Sequence, residues 1–270
     1  MQFALPVPLD PQSASNLRLP WTSLLSREDL VQHVAKYPGM SWYVPGTNAY
    51  LIAGPWRNRD DIVEILESRG DRYRPALWTS LMESIINTAG AIIVDPTEYK
   101  SAAHFYHTVK VSCLETVLVL RNTHIPGPEL SVELEIQSVL KRGIAELIAI
   151  DWDSFPWLWR NSRREFEEYL DSPGVHAWVA YKSEEPIGYV SLTLYDDWGH
   201  IDRLAVRPNF QGRGYGAQLL SWALRQLHVM GAKYAQLSTQ ETNERSFKLY
   251  SSFGFKLCRG GYKIYGKYLG

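Results

Sequence analysis

Two cysteines, Cys113 and Cys258, are all the thiol that this 270-residue chain holds. They stand far apart and fit no metal-ligand spacing, so they read as reduced, mostly buried thiols of a cytoplasmic protein, and no metal site is expected. Charge of one sign is also missing. The formal net charge is −1, which leaves no global field to attract nucleic acid or an anionic membrane. No uninterrupted apolar run is long enough to span a bilayer. The first residues, Met1-Gln-Phe-Ala-Leu-Pro-Val-Pro8, lack the basic region and apolar core of a signal peptide. Nucleic acid and membrane are therefore not expected partners. What the chain does hold is aromatic: 10 Trp and 16 Tyr, enough to line a pocket or an interface.

Apolar residues at 45% and charged residues at 21% make an ordinary globular balance, and the length allows one large domain or two of common size. Asn122-Thr-His-Ile-Pro-Gly-Pro-Glu129 sets two prolines and a glycine between apolar stretches, which predicts a linker. The boundary is expected near residue 128, giving domains 1–128 and 129–270. In the second domain the patterning predicts strands over 134–140, 176–181, 187–194, 200–206 and 235–239. Helices are predicted over 141–155, 162–170, 215–230 and 243–252, with Ser162 and Asn243 as N-caps. A closing hairpin is expected around Gly260-Gly261. In the first domain, 50–53 and 91–94 read as strands. Residues 60–68, 78–87 and 101–106 read as helices, and 109–113 and 115–121 as further strands. The fold class is α/β with a mixed sheet.

The most informative segment is Val206-Arg-Pro-Asn-Phe-Gln-Gly-Arg-Gly-Tyr-Gly-Ala217. It turns a strand into a helix through three glycines. Such a turn exposes successive backbone N–H groups backed by the positive end of a helix dipole, a site suited to a phosphate. Glycine leaves the approach clear of Cβ atoms. A second block follows: Asn243-Glu-Arg-Ser-Phe-Lys-Leu-Tyr250-Ser-Ser-Phe-Gly-Phe255.

Together the blocks resemble the two signatures of the GNAT superfamily of acyl-CoA-dependent N-acyltransferases: Gln211, Gly214 and Gly216 in the first; Asn243, Ser246, Leu249, Tyr250, Gly254 and Phe255 in the second. The resemblance spans roughly 132–270 and implies the GNAT fold there. Residues 1–128 carry no glycine-rich block and are expected to bind no cofactor. That half reads either as a degenerate GNAT-like unit or as an unrelated α/β cap.

The resemblance implies acetyl-CoA as cofactor, held where the strand ending at Val206 splays from the strand 235–239. Backbone groups of Leu204, Ala205 and Val206 would pair with the pantetheine. Gln211, Gly212, Arg213, Gly214, Tyr215, Gly216 and Ala217 would cradle the pyrophosphate. Asn243 would bond the pantetheine arm or an ordered water, or serve as a helix cap, and Ser246 lies in the same block. Tyr250 stands where the family places the acid that protonates the leaving thiolate, and otherwise reads as a core tyrosine. For the base, the strand offers His200 and Asp202; an aspartate would act through a water. The acceptor site would be lined by Trp157 and Trp159 and by Tyr195, Asp196, Asp197 and Trp198. Here the acidic pair would attract a cation and the tryptophans offer cation–π faces. The implied activity is direct acetyl transfer from acetyl-CoA to a primary amine, on a small molecule or a peptide N-terminus, by a monomer or homodimer. Two alternatives stand beside it: an acyl-CoA sensor without turnover, and an enzyme using a longer acyl group.

Overall fold

The structure, a computed structural model, describes residues 4–69, 75–86, 92–97, 106, 111–128, 130–139 and 143–268. The chain forms two compact units, Met1–Glu115 with Tyr262–Gly270, and Thr116–Gly261. The division thus falls at 115/116 and not near 128. The reason lies in the start of the expected linker: Asn122 is buried and its amide donates to the carbonyl of Phe253 at 2.8 Å, deep within the second unit.

The first unit runs β1 (Val7–Pro8), α1 (Pro11–Asn16), α2 (Arg27–Lys36), β2 (Trp42–Tyr43), β3 (Tyr50–Pro55), β4 (Ile62–Arg69), α3 (Pro75–Ile86) and β5 (Ile92–Thr97). The second runs β6 (Ser112–Asn122), β7 (Glu135–Ser138), α4 (Ile144–Ser154), α5 (Arg163–Leu170), β8 (Val175–Lys182), β9 (Glu185–Leu194), β10 (Trp198–Val206), α6 (Tyr215–Val229), β11 (Tyr234–Gln240) and α7 (Glu244–Ser252). Last comes β12 (Lys256–Tyr268), which begins in the second unit and ends in the first.

Two expectations fail. Residues 60–68 are a strand, β4, because Ile62, Val63 and Ile65 are buried in the sheet core between β3 and β5. The hairpin at Gly260-Gly261 is absent, and β12 runs straight through. Gly261 serves a close approach instead: a Cβ there would lie 2.4 Å from the carbonyl oxygen of Val117. The segments 109–113 and 115–121 are one strand from 112 on, and the expected helix 101–106 lies outside the described residues except for Tyr106.

In the first unit β1 to β4 pair antiparallel in sequence, β4 and β5 pair parallel, and β5 pairs antiparallel with the end of β12. Helices α1 and α2 cover one face through Ala14, Leu30 and Val34. Helix α3 covers the other through Leu77, Trp78, Leu81 and Ile85.

In the second unit the order is β6-β11-β10-β9-β8-β7, antiparallel except for the parallel pair β10 and β11. Helix α6 lays Leu219, Leu220, Ala223, Leu224 and Leu227 against Leu192, Ile201 and Leu237 on one face. Each buried leucine contributes about 1.5–3 kcal/mol, which fixes the register of the helix that carries the glycine-rich turn. Helices α4 and α5 cover the other face through Leu147, Ile150 and Phe166. Ser162 caps α5 by accepting from the Glu165 N–H at 3.0 Å.

Candidate active site

Strands β10 and β11 start together and then part. Their pairing runs from Trp198 opposite Tyr234 to Ile201 opposite Leu237 and stops. Beyond it β10 stays with β9 as far as Val206, while β11 stays with β6 as far as Gln240. The gap between them is the splayed cleft. Just past the end of β10, the Arg207 N–H bonds the Ile187 carbonyl of β9. Strict alternation then turns the backbone groups of Leu204 and Val206 toward the gap and those of Ala205 toward β9. Of the three residues, Leu204 and Val206 face the cleft and Ala205 does not. The Val206 carbonyl accepts from the Gln211 amide at 2.8 Å.

At the end of the cleft, Gly212 and Gly214 hold φ of +79° and +82°, values that favour glycine, with no heavy atom within 4 Å of a built Cβ. Gly214 is the N-cap of α6 and gives it no side-chain cap. The N–H groups of Tyr215 and Gly216 therefore lack partners within the helix and lie at the positive end of its dipole. Gly216 packs on Leu249 and Leu204. Arg213 is exposed and lies over the ring of Phe210, and Ala217 bonds back to Gly214. Arg245 donates to Gln211, which joins the two sequence blocks.

Asp202 occupies a β-bulge in β10, where the register with β9 shifts between Ile201 and Arg203. The bulge turns its carboxylate onto the face covered by α4 and α5. One oxygen accepts from the Tyr169 hydroxyl at 2.5 Å and the Thr193 hydroxyl at 2.7 Å. The other lies 2.8 Å from Nδ1 of His200. Burial, then the charge of Asp202 and the bond to it, push the Tyr169 hydroxyl well above its ordinary pKa, so it remains a donor. An ionised Asp202 accepts from all three groups, which puts the proton of neutral His200 on Nδ1 and leaves Nε2 with a free lone pair.

Beside this site lies a buried ion pair. Asp151, fully buried on α4, takes the Arg203 guanidinium at 2.5 Å and the Tyr189 hydroxyl at 2.6 Å, and its second oxygen takes the Asn161 N–H at 2.9 Å. Arg203 also donates to the Trp159 carbonyl at 2.8 Å and lies over the ring of Phe155. The loop 155–161 is thereby tied to the residue that follows Asp202. Trp159 is buried as an anchor of this loop, whereas Trp157 is partly exposed.

Tyr250 projects from α7 into the core, 7% exposed, with Phe255 beside it. Burial pushes its hydroxyl up to about 12, against the lowering effect of a hydrogen bond with Ser246. It is thus a weaker acid than a free tyrosine. Asn243 caps α7, its side chain accepting from the Ser246 N–H at 3.1 Å. At the closed end of β10, Tyr195 stacks on Trp198 (4.4 Å) and Trp198 on Tyr234 (5.7 Å). Asp197 is paired with Lys233 at 3.0 Å, while Asp196 is exposed. The acidic pair is therefore partly neutralised within the turn. Cys113 is exposed, contrary to expectation, and Cys258 half-buried.

Among the described residues, the first unit repeats part of this backbone plan. Pairing of β4 with β5 ends at Glu64 opposite Val94, while β4 continues along β3 and β5 along β12. Just past the last parallel pair, the β3–β4 register skips Leu66, as the β9–β10 register skips Asp202. A partly exposed leucine stands where the second unit has its carboxylate.

Residues 144–255 match the sequence profile of the Acetyltransferase (GNAT) family. A Bacillus subtilis (strain 168) protein provisionally named [ribosomal protein bS18]-alanine N-acetyltransferase is 23% identical over 121 residues, covering 45% of this chain and 80% of its own. The fold extends further than the profile. A GCN5-related N-acetyltransferase from Sphaerobacter thermophilus superposes with TM-score 0.64 at 15% identity, covering 98% of this chain and 95% of its own. A tandem GNAT protein from the clavulanic acid biosynthesis pathway gives 0.60 at 14% identity, covering 98% of both. The near-complete coverage agrees with two GNAT-like units in one chain. Among the described residues, no helix is long and apolar enough to cross a membrane.

Proposed function

Since residues 144–255 form a GNAT-family acetyltransferase domain, we propose that the chain transfers an acetyl group from acetyl-CoA directly to a primary amine, with His200 as general base. The observation that carries this reading is the Asp202 network beside the splayed cleft. Asp202 already holds three groups, and among the described residues Nε2 of His200 has no hydrogen-bond partner.

The residues present fit acetyl-CoA. Open space before Gly212 and Gly214, with the unpartnered N–H groups of Tyr215 and Gly216, suits a pyrophosphate. The cleft-facing amides of Leu204 and Val206 suit a pantetheine chain. Bound there, acetyl-CoA would supply a thioester as activated acetyl donor.

The protein's own groups then divide the work. An amine is mostly protonated near neutral pH and must lose its proton to become a nucleophile. His200 Nε2 accepts that proton, and the resulting imidazolium is stabilised by Asp202. Tyr169 and Thr193 hold Asp202 in place and so act as positioning residues. A main-chain N–H of Leu204 or Val206, aimed into the cleft, donates to the oxygen on which negative charge develops. Tyr250 keeps its proton throughout the neutral range and can donate it, or a hydrogen bond, to a leaving thiolate.

The test is a screen of primary amines with acetyl-CoA, following free thiol release and the mass of the acetylated product. Acetylation of at least one amine class, with thiol and product in equal amounts, is expected. Tight CoA binding with no product from any amine overturns the proposal.

A further inference from the structure

We infer that the acceptor is a primary amine that also bears an anionic group, carboxylate or phosphate, and that Arg121 and Gln236 receive that group. The inference rests on the transfer reaction proposed above and names the substrate class of that site.

The sheet register places the parts. Thr193 is opposite His200, His200 opposite Gln236, and Gln236 opposite Arg121, so these four residues form one row across β9, β10, β11 and β6. Residues directly opposite share a face, and this face also carries the Asp202 network. One side-chain step toward the closed end lies the aromatic row Tyr195, Trp198 and Tyr234, stacked in series. The Arg121 guanidinium sits 4.8 Å from the Tyr234 ring centroid. With its amide oxygen toward Arg121, Gln236 accepts from Nε at 2.8 Å and from Nη2 at 2.5 Å.

Among the described residues, Arg121 is therefore aimed and held by a neutral amide and a ring. It is exposed, and among the described residues no carboxylate pairs with it. Its Nη1 side remains available for a bidentate anion. An amine without an anionic group would meet this cation unfavourably, and Asp197 offers little relief because Lys233 already occupies it. Two strand spacings separate His200 from Arg121, about 10 Å between Cα atoms. The aromatic row walls this span on one side.

The experiment compares wild type with Arg121→Met and Arg121→Lys on two matched pairs, β-alanine with its amide and phosphoethanolamine with ethanolamine. Thiol release from acetyl-CoA gives kcat/KM, and calorimetry gives CoA affinity. At least one anionic member is expected to exceed its neutral partner by tenfold or more in kcat/KM. Arg121→Met should erase that preference through KM, Arg121→Lys should restore part of it, and CoA affinity should not move. Preference for the carboxylate pair or the phosphate pair identifies the anion. Equal rates within both pairs, or a preference that survives Arg121→Met, overturns the inference. If no amine turns over, ligand-observed NMR on the same pairs with CoA present decides. Selective binding of an anionic member, lost in Arg121→Met, upholds the anion site while the transfer reading fails. No selectivity rejects the anion site as well.

Discussion

Replacing Asp202 by asparagine keeps the shape of the side chain and removes its charge. In the wild type one carboxylate oxygen takes the hydroxyls of Tyr169 and Thr193 and the other takes Nδ1 of His200. The asparagine oxygen can still accept both hydroxyls. Its amide nitrogen then faces Nδ1 as a donor, so the imidazole must carry its proton on Nε2, the atom that should accept one. Replacing a carboxylate by its amide behind a catalytic histidine lowers kcat by about 10²–10⁴, through the wrong tautomer and the lost stabilisation of the imidazolium. Three charge-assisted hydrogen bonds become neutral ones, at about 1 kcal/mol each, so stability should fall by about 1–3 kcal/mol. The assay is thiol release on an accepted amine, with urea unfolding alongside. A folded Asp202→Asn protein with wild-type kcat would refute the dyad.

Three further outcomes follow from the same geometry. Gly214→Glu puts a Cβ on a residue at φ +82° and a carboxylate before the uncapped helix end, so calorimetry should show CoA affinity reduced tenfold or more in a folded protein. Tyr250→Phe should leave CoA affinity and KM nearly unchanged while kcat falls by roughly 10²–10³, the scale of losing a general acid; an undiminished kcat would make Tyr250 a core residue only. Arg203→Met leaves Asp151, 0% exposed, without its cation and should lower unfolding free energy by about 3–5 kcal/mol in denaturant titration.

The legible parts of this protein are those written in local chemistry. Gly212 and Gly214 mark a turn whose backbone only glycine adopts easily, and the block from Asn243 to Phe255 follows it at a fixed interval. Ser162 and Asn243 cap the helices they precede. The parts that eluded the sequence depend on contacts between distant residues. Ile62, Ile65 and Leu66 recur at helical spacing, yet pairing on both edges makes that segment a strand. Tyr169 lies 33 positions before Asp202 and Thr193 nine before it. Nothing local ties them to a carboxylate, and only the bulge and the packing of α5 bring them together. Asp151 carries no mark that separates it from a surface acid. Its partner Arg203 faces the core beneath α4 because the bulge at Asp202 changes which residues point inward. The acidic turn at Asp196-Asp197 suggested attraction for a cation, but Lys233 closes on Asp197 from a neighbouring loop.

The central claim is that His200 takes the proton of the attacking amine. Its most direct test is the acetylation rate of His200→Ala on an accepted amine, with and without added imidazole, and with CoA affinity measured on the same preparation. The account predicts unchanged CoA affinity, a rate lowered by about 10²–10⁴, and partial recovery as imidazole fills the vacated space. A folded His200→Ala protein that acetylates at the wild-type rate, indifferent to imidazole, contradicts it.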